Sequence, residues 1–148
     1  MKKSILIIAL VFIVSVTLSA QHKLTIKVEG IESVSGDLYI ALYTSQDVFT
    51  GKSEHGKIVK VDGNTVETDF SDLKKGKYAL ALYQDENANG KLDLGEYGIP
   101  KEKVAFSNNI NPILLMRAPV FEECAFEIDA DKEVSIKLIS MSPPVLSK

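Results

Sequence analysis

The hydrophobic pattern of this chain predicts short β-strands along most of its length. In residues 22–29 the apolar side chains of Leu24, Ile26 and Val28 alternate with polar ones, which is typical of a strand with one buried face. Similar alternation, or a short apolar run bounded by turn residues, recurs at regular spacing. The predicted strands lie at residues 22–29, 38–42, 58–61, 65–68, 78–83, 103–106, 121–128 and 134–138.

No segment shows a convincing helical period, so we predict an all-β fold. The expected architecture is a single antiparallel β-sandwich of about seven strands, immunoglobulin-like or prealbumin-like. The turn residues Asp62, Gly63 and Asn64 predict a compact hairpin between the strands at 58–61 and 65–68. Residues 121–126 remain ambiguous between a strand and one helical turn, because their phenylalanines lie five apart.

The N-terminal segment has the order of a secretory signal. Lys2 and Lys3 precede an apolar run at residues 5–16, and small residues follow up to Ala20. The run of about a dozen residues is short for a bilayer span, and the absence of a cysteine after it disfavours a lipid anchor. We predict a signal peptide at residues 1–20, a β-sandwich domain at 21–141 and a disordered tail at 142–148. An uncleaved anchor is the alternative; otherwise the protein is exported, either periplasmic or secreted.

Composition narrows the class of partner. The chain has 148 residues, 45% of them hydrophobic and 25% charged, which favours a packed core over disorder. Loss of Lys2 and Lys3 lowers the 17 basic residues to 15 against 20 acidic ones, a net charge of −5, which argues against nucleic acid and anionic lipid. Cys124 is the single cysteine, so no internal disulfide forms, and we interpret it as a small buried hydrophobe. We expect a monomer.

Residues 85–96, Asp-Glu-Asn-Ala-Asn-Gly-Lys-Leu-Asp-Leu-Gly-Glu, carry the most specific chemistry in the sequence. They fit the twelve-position calcium loop, with oxygen ligands at positions one, three, five, seven, nine and twelve and a glycine, here Gly90, at the sharp turn. A polar surface turn that matches by chance is the alternative. The predicted ligands are Asp85, Asn87, Asn89, the backbone carbonyl of Lys91, Asp93 and Glu96.

The flanks of this loop differ from those of an EF-hand. Gly95, Gly98 and Pro100 stand where an exiting helix would grow, and each disfavours a helix. The eight residues between Gly76 and the loop suit a strand better than a helix. The sequence therefore predicts a structural calcium loop between two β-strands.

Longer stretches around the loop resemble a known family. They are Tyr-Gln-Asp-Glu-Asn-Ala-Asn-Gly-Lys-Leu-Asp at 83–93, Gly-Ile-Pro-Lys-Glu at 98–102 and Phe-Ser-Asn-Asn at 106–109. Together they are similar to a bacterial family of small exported proteins catalogued only as a domain of unknown function. The resemblance extends over residues 22–140 and implies a prealbumin-like sandwich behind a signal peptide. It implies no activity.

The loop by itself is also similar to the calcium-binding segment of B-type repeats in Gram-positive surface adhesins. Those repeats usually carry Asp where this chain has Asn89, so the site here has one negative charge fewer. The similarity implies loop chemistry and does not imply adhesion.

Two functions remain open. The first is an exported, non-catalytic module that binds one structural Ca²⁺ and recognises a protein or glycan of the cell envelope. The second is a small hydrolase with a site near Lys101, Glu102, Ser107 and Asn108, within residues 102–109 and their flank. The only histidines, His22 and His55, are far apart in sequence, so we assign no catalytic residue. Tyr39, Tyr43 and Tyr83 are expected to share a sheet face, where cross-strand packing is favoured over sugar stacking.

Overall fold

The computed structural model of the protein describes residues 21–45, 47–53 and 55–141. The predicted signal peptide and the predicted disordered tail lie outside these residues. The strands are β1 (Gln21–Glu29), β2 (Asp37–Thr44), β3 (His55–Lys60), β4 (Val66–Lys74), β5 (Gly76–Asp85), β6 (Val104–Phe106), β7 (Phe126–Ile128) and β8 (Lys132–Lys137). The helical pieces are 3-10 turns at Glu96–Gly98 and Ser107–Asn109 and two single α-helical turns, α1 (Pro112–Leu115) and α2 (Phe121–Cys124).

Two sheets form the fold, as the all-β prediction requires. One has the strand order β4-β1-β8, and the other has the order β3-β2-β5-β6, with β7 also pairing with β5. Strand β8 runs parallel to β1, whereas the other named pairs are antiparallel. The predicted all-β sandwich is therefore confirmed.

The core lies between the sheets and follows the two-residue period of the sequence. Leu24, Ile26 and Val28 of β1 are fully buried. They pack against buried residues of β2 and β5 in the other sheet, such as Leu38, Leu42 and Leu80. Each such aliphatic side chain contributes about 1.5–3 kcal/mol when it leaves water. No disulfide is needed to hold the sheets, since Cys124 is a free, buried thiol.

The predicted hairpin around Gly63 is wrong. Strand β3 pairs with β2 in one sheet, and β4 pairs with β1 in the other, so the turn carries the chain from sheet to sheet. Val61 and Val66 on either side of the turn are both buried, and Asn64 Nδ2 donates to the Ile31 carbonyl at 3.1 Å. Burial of both valines between the layers outweighs the local preference of the turn sequence for a hairpin.

The ambiguity at residues 121–126 is resolved: residues 121–124 form one helical turn, and the strand predicted at 121–128 is limited to Phe126–Ile128. The predicted strand before the loop is confirmed, since β5 runs up to Asp85, where the predicted calcium loop begins. The connection from residue 86 to 103 joins β5 to β6, so the loop does lie between strands. Within the described ranges, none of the helices has the length and hydropathy to cross a membrane.

Candidate metal centre

The loop is anchored at its base by Asp85, the last residue of β5. This side chain is fully buried, and its two carboxylate oxygens accept backbone N–H groups from the loop that follows. Gly90 donates to Oδ2 at 2.7 Å, and Asn89 donates to Oδ1 at 3.1 Å. Gly90 has a φ of 79°, which glycine adopts without steric cost. The first position of the predicted loop therefore holds the turn in place from inside the protein.

Three more of the predicted ligands meet above this base. Asn87 Nδ2 and Asn89 Nδ2 both donate to one oxygen, Asp93 Oδ2, at 2.7 and 2.8 Å. The oxygens of both amides accept backbone N–H groups two residues on, which fixes the bend. A turn of either amide by about 180° about its terminal torsion would bring an oxygen to the same point, at the cost of the backbone N–H bond that this oxygen accepts. Positions three, five and nine are thus gathered around one point, and position one holds the backbone of the same bend.

After Asp93 the chain folds back on itself in a small hairpin. Gly95 N donates to the Ile99 carbonyl at 2.7 Å, Lys101 N donates to the Asp93 carbonyl at 2.9 Å, and Leu94 bridges to Pro100. The tip of this hairpin is the 3-10 turn Glu96–Gly98. Glu96, the predicted twelfth ligand, is therefore exposed at the tip rather than at the base. Lys91 is also exposed, and its N–H donates to Asn89 Oδ1 at 2.9 Å.

Glu102 occupies the base of that hairpin, and sequence reasoning about ligands missed it. Its side chain is only 8% exposed, and Oε2 accepts the Asp93 N–H at 3.1 Å. Its other oxygen, Oε1, is buried and accepts no N–H or O–H from the described part of the chain. The side chain of Asp85 lies close enough to Glu102 to share a hydrogen bond with it when one of the two acids is protonated. The one sequence signal was an acid between Lys101 and Lys103, just before an apolar strand. The hairpin that carries it back to Asp93 was not visible in the pattern.

Several carboxylates lie close together at the site, so their negative charges repel one another. Burial raises the pKa of Glu102, as do the nearby carboxylates of Asp85 and Asp93, while the Asp93 N–H acts in the opposite direction. Burial also raises the pKa of the neighbouring Tyr83 to about 12, with added contributions from Tyr39, Asp85 and Glu102. A bound cation would offset this repulsion, because opposite charge favours the ionised form of an acid.

The donor set suits a hard cation only if neutral oxygens take part. Within the described ranges, no group of three or more His, Cys, Asp and Glu side chains has the arrangement of a metal site. The amide oxygens of Asn87 and Asn89 and the carbonyl of Lys91 would have to complete the sphere. Calcium accepts such mixed sets of six to eight oxygens, and the loop contains oxygen donors without nitrogen or sulfur ligands.

A cleft on the outer face of the larger sheet lies against the loop. It has a volume of about 520 Å³, and Tyr39, Tyr83 and Leu92 are among its walls. Tyr39 and Tyr83 stack across neighbouring strands, with ring centroids 4.9 Å apart and planes 9° apart, which confirms the predicted cross-strand packing. The Tyr39 hydroxyl lies 3.6 Å from the position of a Cβ built on Gly90, so the loop and the cleft touch.

The residues of the alternative hydrolase site have structural roles. Ser107 is buried, and its hydroxyl bonds the backbone of Leu80 and Cys124. Asn108 Nδ2 donates to the carbonyls of Glu123 and Ala125, and Lys101 is exposed. His22 and His55 belong to different sheets. Cys124 is buried, which raises the pKa of its thiol to about 12, in keeping with the predicted buried hydrophobe.

Comparison with known proteins identifies the family and nothing finer. Neither a curated protein nor a solved structure matches the chain, so the prealbumin-like and adhesin-repeat resemblances stay predictions. The model of one family matches residues 26–137, which include the whole loop and Glu102. By that match the chain belongs to DUF2141, a family of uncharacterized proteins conserved in bacteria.

Proposed function

We propose that this protein is an exported, non-catalytic β-sandwich module that binds one structural Ca²⁺ at residues 85–102. The observation that carries the proposal is the convergence of the Asn87 and Asn89 amides on Asp93, above the buried Asp85 carboxylate. Three positions of the calcium loop thereby meet at one point, and a fourth, Asp85, holds the backbone of the bend. Glu102 is an independent reason to expect a cation: one of its buried oxygens accepts no hydrogen bond from the described residues, and the Asp85 carboxylate lies beside it, so two buried negative charges are left without a counter-charge.

The ion would stabilise the connection between β5 and β6. Four of its candidate ligands lie in a stretch without regular secondary structure, which the polypeptide alone holds through Asp85 and the bonds among the amides. At millimolar calcium and a dissociation constant near 10⁻⁴ M, binding to the folded state adds ~1.4 kcal/mol. For a domain of this size that raises the melting temperature by ~5 °C.

A thermal melt of residues 21–148, the expected mature chain, tests the proposal. The midpoint should rise by ~5 °C from excess chelator to millimolar calcium, and Asp93→Asn should abolish most of that rise. Asp129→Asn is the matched control, because Asp129 is an exposed acid outside the loop, and it should keep the full rise. A wild-type midpoint that is the same in calcium and in chelator would sink the metal assignment.

The partner of such a module would be an envelope protein or glycan, and exposed apolar side chains support a binding role over a catalytic one. Tyr97, Leu114 and Met116 are 96%, 80% and 91% exposed, and the aromatic cleft adjoins the calcium loop. Surfaces of this kind are typical of interaction sites. The hydroxyl of Ser107, a residue of the alternative hydrolase site, is by contrast occupied by backbone bonds.

Nuclear magnetic resonance with soluble peptidoglycan fragments and then with envelope extracts enriched for glycans tests the binding role. Backbone amides lining the cleft should shift on addition of a glycan, and the shifts should weaken in chelator because the loop forms one wall. Unchanged spectra with every glycan, together with hydrolysis products in the same tubes, would favour the hydrolase instead.

A further inference from the structure

We propose that Glu102, and not Glu96, provides the last carboxylate of the cation site. The site is then discontinuous: its first ligands come from the loop after β5, and its last comes from the residues that lead into β6. This inference rests on the calcium site proposed above, and it changes which acid completes that site.

The hairpin of residues 93–101 decides between the two acids. Its rungs join Asp93 to Lys101, Leu94 to Pro100 and Gly95 to Ile99. Each rung moves the chain by about 3.3 Å, so the tip stands roughly 10 Å from the base. Glu96 belongs to that tip, and Glu102 follows the base directly. The regular twelve-residue spacing therefore selects Glu96, which the hairpin places away from the other predicted ligands.

The surroundings of the two carboxylates differ in the same sense. Glu102 is nine-tenths buried, and one of its oxygens accepts the Asp93 N–H. Its other oxygen accepts no hydrogen bond from the described residues, and its nearest acid is the Asp85 carboxylate. Burial raises the pKa of Glu102, and the nearby carboxylate of Asp85, the first predicted ligand, adds to the rise. Glu96 is exposed to water, where a carboxylate has no need of a partner. A carboxylate that is buried among acids is the one whose charge a cation would balance.

The resulting donor set has the number of oxygens that calcium takes, and the ion would have to draw Asp85, Asp93 and Glu102 together, since no three acids of the described residues are arranged around one point. Asp85, Asn87, Asn89, the Lys91 carbonyl and Asp93 give five oxygens, and Glu102 gives a sixth, or a seventh if both of its oxygens bind. Calcium commonly takes six to eight oxygens, whereas magnesium demands a stricter octahedron and keeps several waters. We therefore expect the site to prefer calcium. The ion would fasten both ends of the connection, at the end of β5 and two residues before β6.

Isothermal titration of the metal-stripped protein with Ca²⁺ tests the assignment. We expect Glu102→Gln to weaken binding at least tenfold and Glu96→Gln to change it by less than twofold. Glutamine at position 102 can still accept the Asp93 N–H, so a merely structural role for Glu102 would leave calcium affinity intact. Circular dichroism in chelator verifies that each variant is folded, and Glu102→Asp, which keeps the charge on a shorter arm, should bind between wild type and Glu102→Gln.

The outcomes separate the two proposals. Wild-type protein that takes up no calcium at millimolar concentration overturns the calcium site and this inference together. Wild-type binding that Glu102→Gln leaves unchanged, or that Glu96→Gln weakens as much, overturns this inference alone and returns the site to the twelve-residue loop. If Glu102→Gln is unfolded, an unchanged affinity in Glu102→Asp is the overturning result.

Discussion

Two buried polar residues, one on either side of β6, differ in whether the protein itself satisfies their hydrogen bonds. Ser107, just after the strand, accepts the Leu80 N–H at 2.9 Å and donates to the Cys124 carbonyl at 2.5 Å. Glu102, two residues before the strand, accepts one N–H from Asp93, and its second oxygen accepts no hydrogen bond from the described residues. Both are more than nine-tenths buried. The hydroxyl is satisfied by the chain itself, and the carboxylate is not.

This difference in hydrogen bonding separates a residue that stabilises the fold from one that is suited to bind a ligand. A buried polar group whose donors and acceptors are all matched within the chain stabilises the fold and needs nothing from outside. A buried charge with an unmatched oxygen costs stability unless something else balances it. In the described part of the chain, the two buried side-chain atoms without a partner belong to Gln84 and Glu102. Gln84 directly precedes Asp85 in β5, so its side chain projects from the opposite face of the strand, where its amide donates to the Ser33 and Ser35 carbonyls.

The largest effect is expected from Ser107→Ala. Removal of the hydroxyl leaves the Leu80 N–H and the Cys124 carbonyl buried without that partner, which should lower the free energy of unfolding by about 2 kcal/mol. The loss should be the same in calcium and in chelator, as measured by urea denaturation. Ser71→Ala is the control, because Ser71 is exposed and its bond to Asp69 faces water. If the stability lost in Ser107→Ala depended on calcium, Ser107 would be coupled to the metal site, and its contrast with Glu102 would be wrong.

Cys124 offers an independent readout of the same variant. The thiol is fully buried, and that burial raises its pKa to about 12, so a thiol reagent at pH 8 should reach it only when the structure opens. Since Ser107 holds the Cys124 carbonyl, Ser107→Ala should speed labelling by the factor that corresponds to the lost stability. Equal labelling rates in wild type and variant would show that the bond does not hold this region closed.

A smaller effect of opposite sign is expected from Glu102→Gln in chelator. The amide removes a buried negative charge, keeps an acceptor for the Asp93 N–H and brings a donor toward Asp85. The metal-free variant should therefore be more stable than metal-free wild type by about 1 kcal/mol. Glu96→Gln, at the exposed tip, should leave stability unchanged. Destabilisation by Glu102→Gln in chelator would mean that its carboxylate is already satisfied without a metal.

Sequence reasoning recovered the parts of this fold that depend on local pattern. The alternation of Leu24, Ile26 and Val28 was enough to place a strand with one buried face, because strand period and burial are linked residue by residue. The turn at Gly63 was misread for the same reason. Asn64 and its neighbours satisfy a hairpin locally, yet the pairing of β3 with β2 and of β4 with β1 is decided by distant strands.

The candidate site divides in the same way. Asp85, Asn87, Asn89 and Asp93 are close in sequence, and the structure brings them together around one bend. The choice between Glu96 and Glu102 depends on a hairpin of nine residues whose rungs include glycine and proline, residues that the pattern marks only as helix breakers. Spacing rules borrowed from helix-flanked loops place the last acid at position twelve. A loop that returns as a hairpin brings a later acid to the base.

The smallest prediction concerns a third carboxylate, Glu123, whose counter-charge comes from the protein. Arg117 holds it with bonds of 2.6 and 3.0 Å, and the Val120 N–H adds a third at 2.9 Å, so the pKa of Glu123 falls to about 2, whereas the pKa of Glu102 is raised. The stability from this ion pair is present above the unfolded pKa of roughly 4.3 and is lost as pH falls toward 2.

Arg117→Gln should therefore lower the melting temperature slightly at pH 6, and the difference from wild type should vanish near pH 2. Lys77→Gln, which removes an exposed partner 3.5 Å from Glu122, should show no such trend. An equal difference between Arg117→Gln and wild type at pH 6 and at pH 2 would show that the arginine acts by packing rather than by charge. Glu123 would then no longer serve as the example of a carboxylate with a counter-charge from the protein, and the comparison would rest on Glu102 alone.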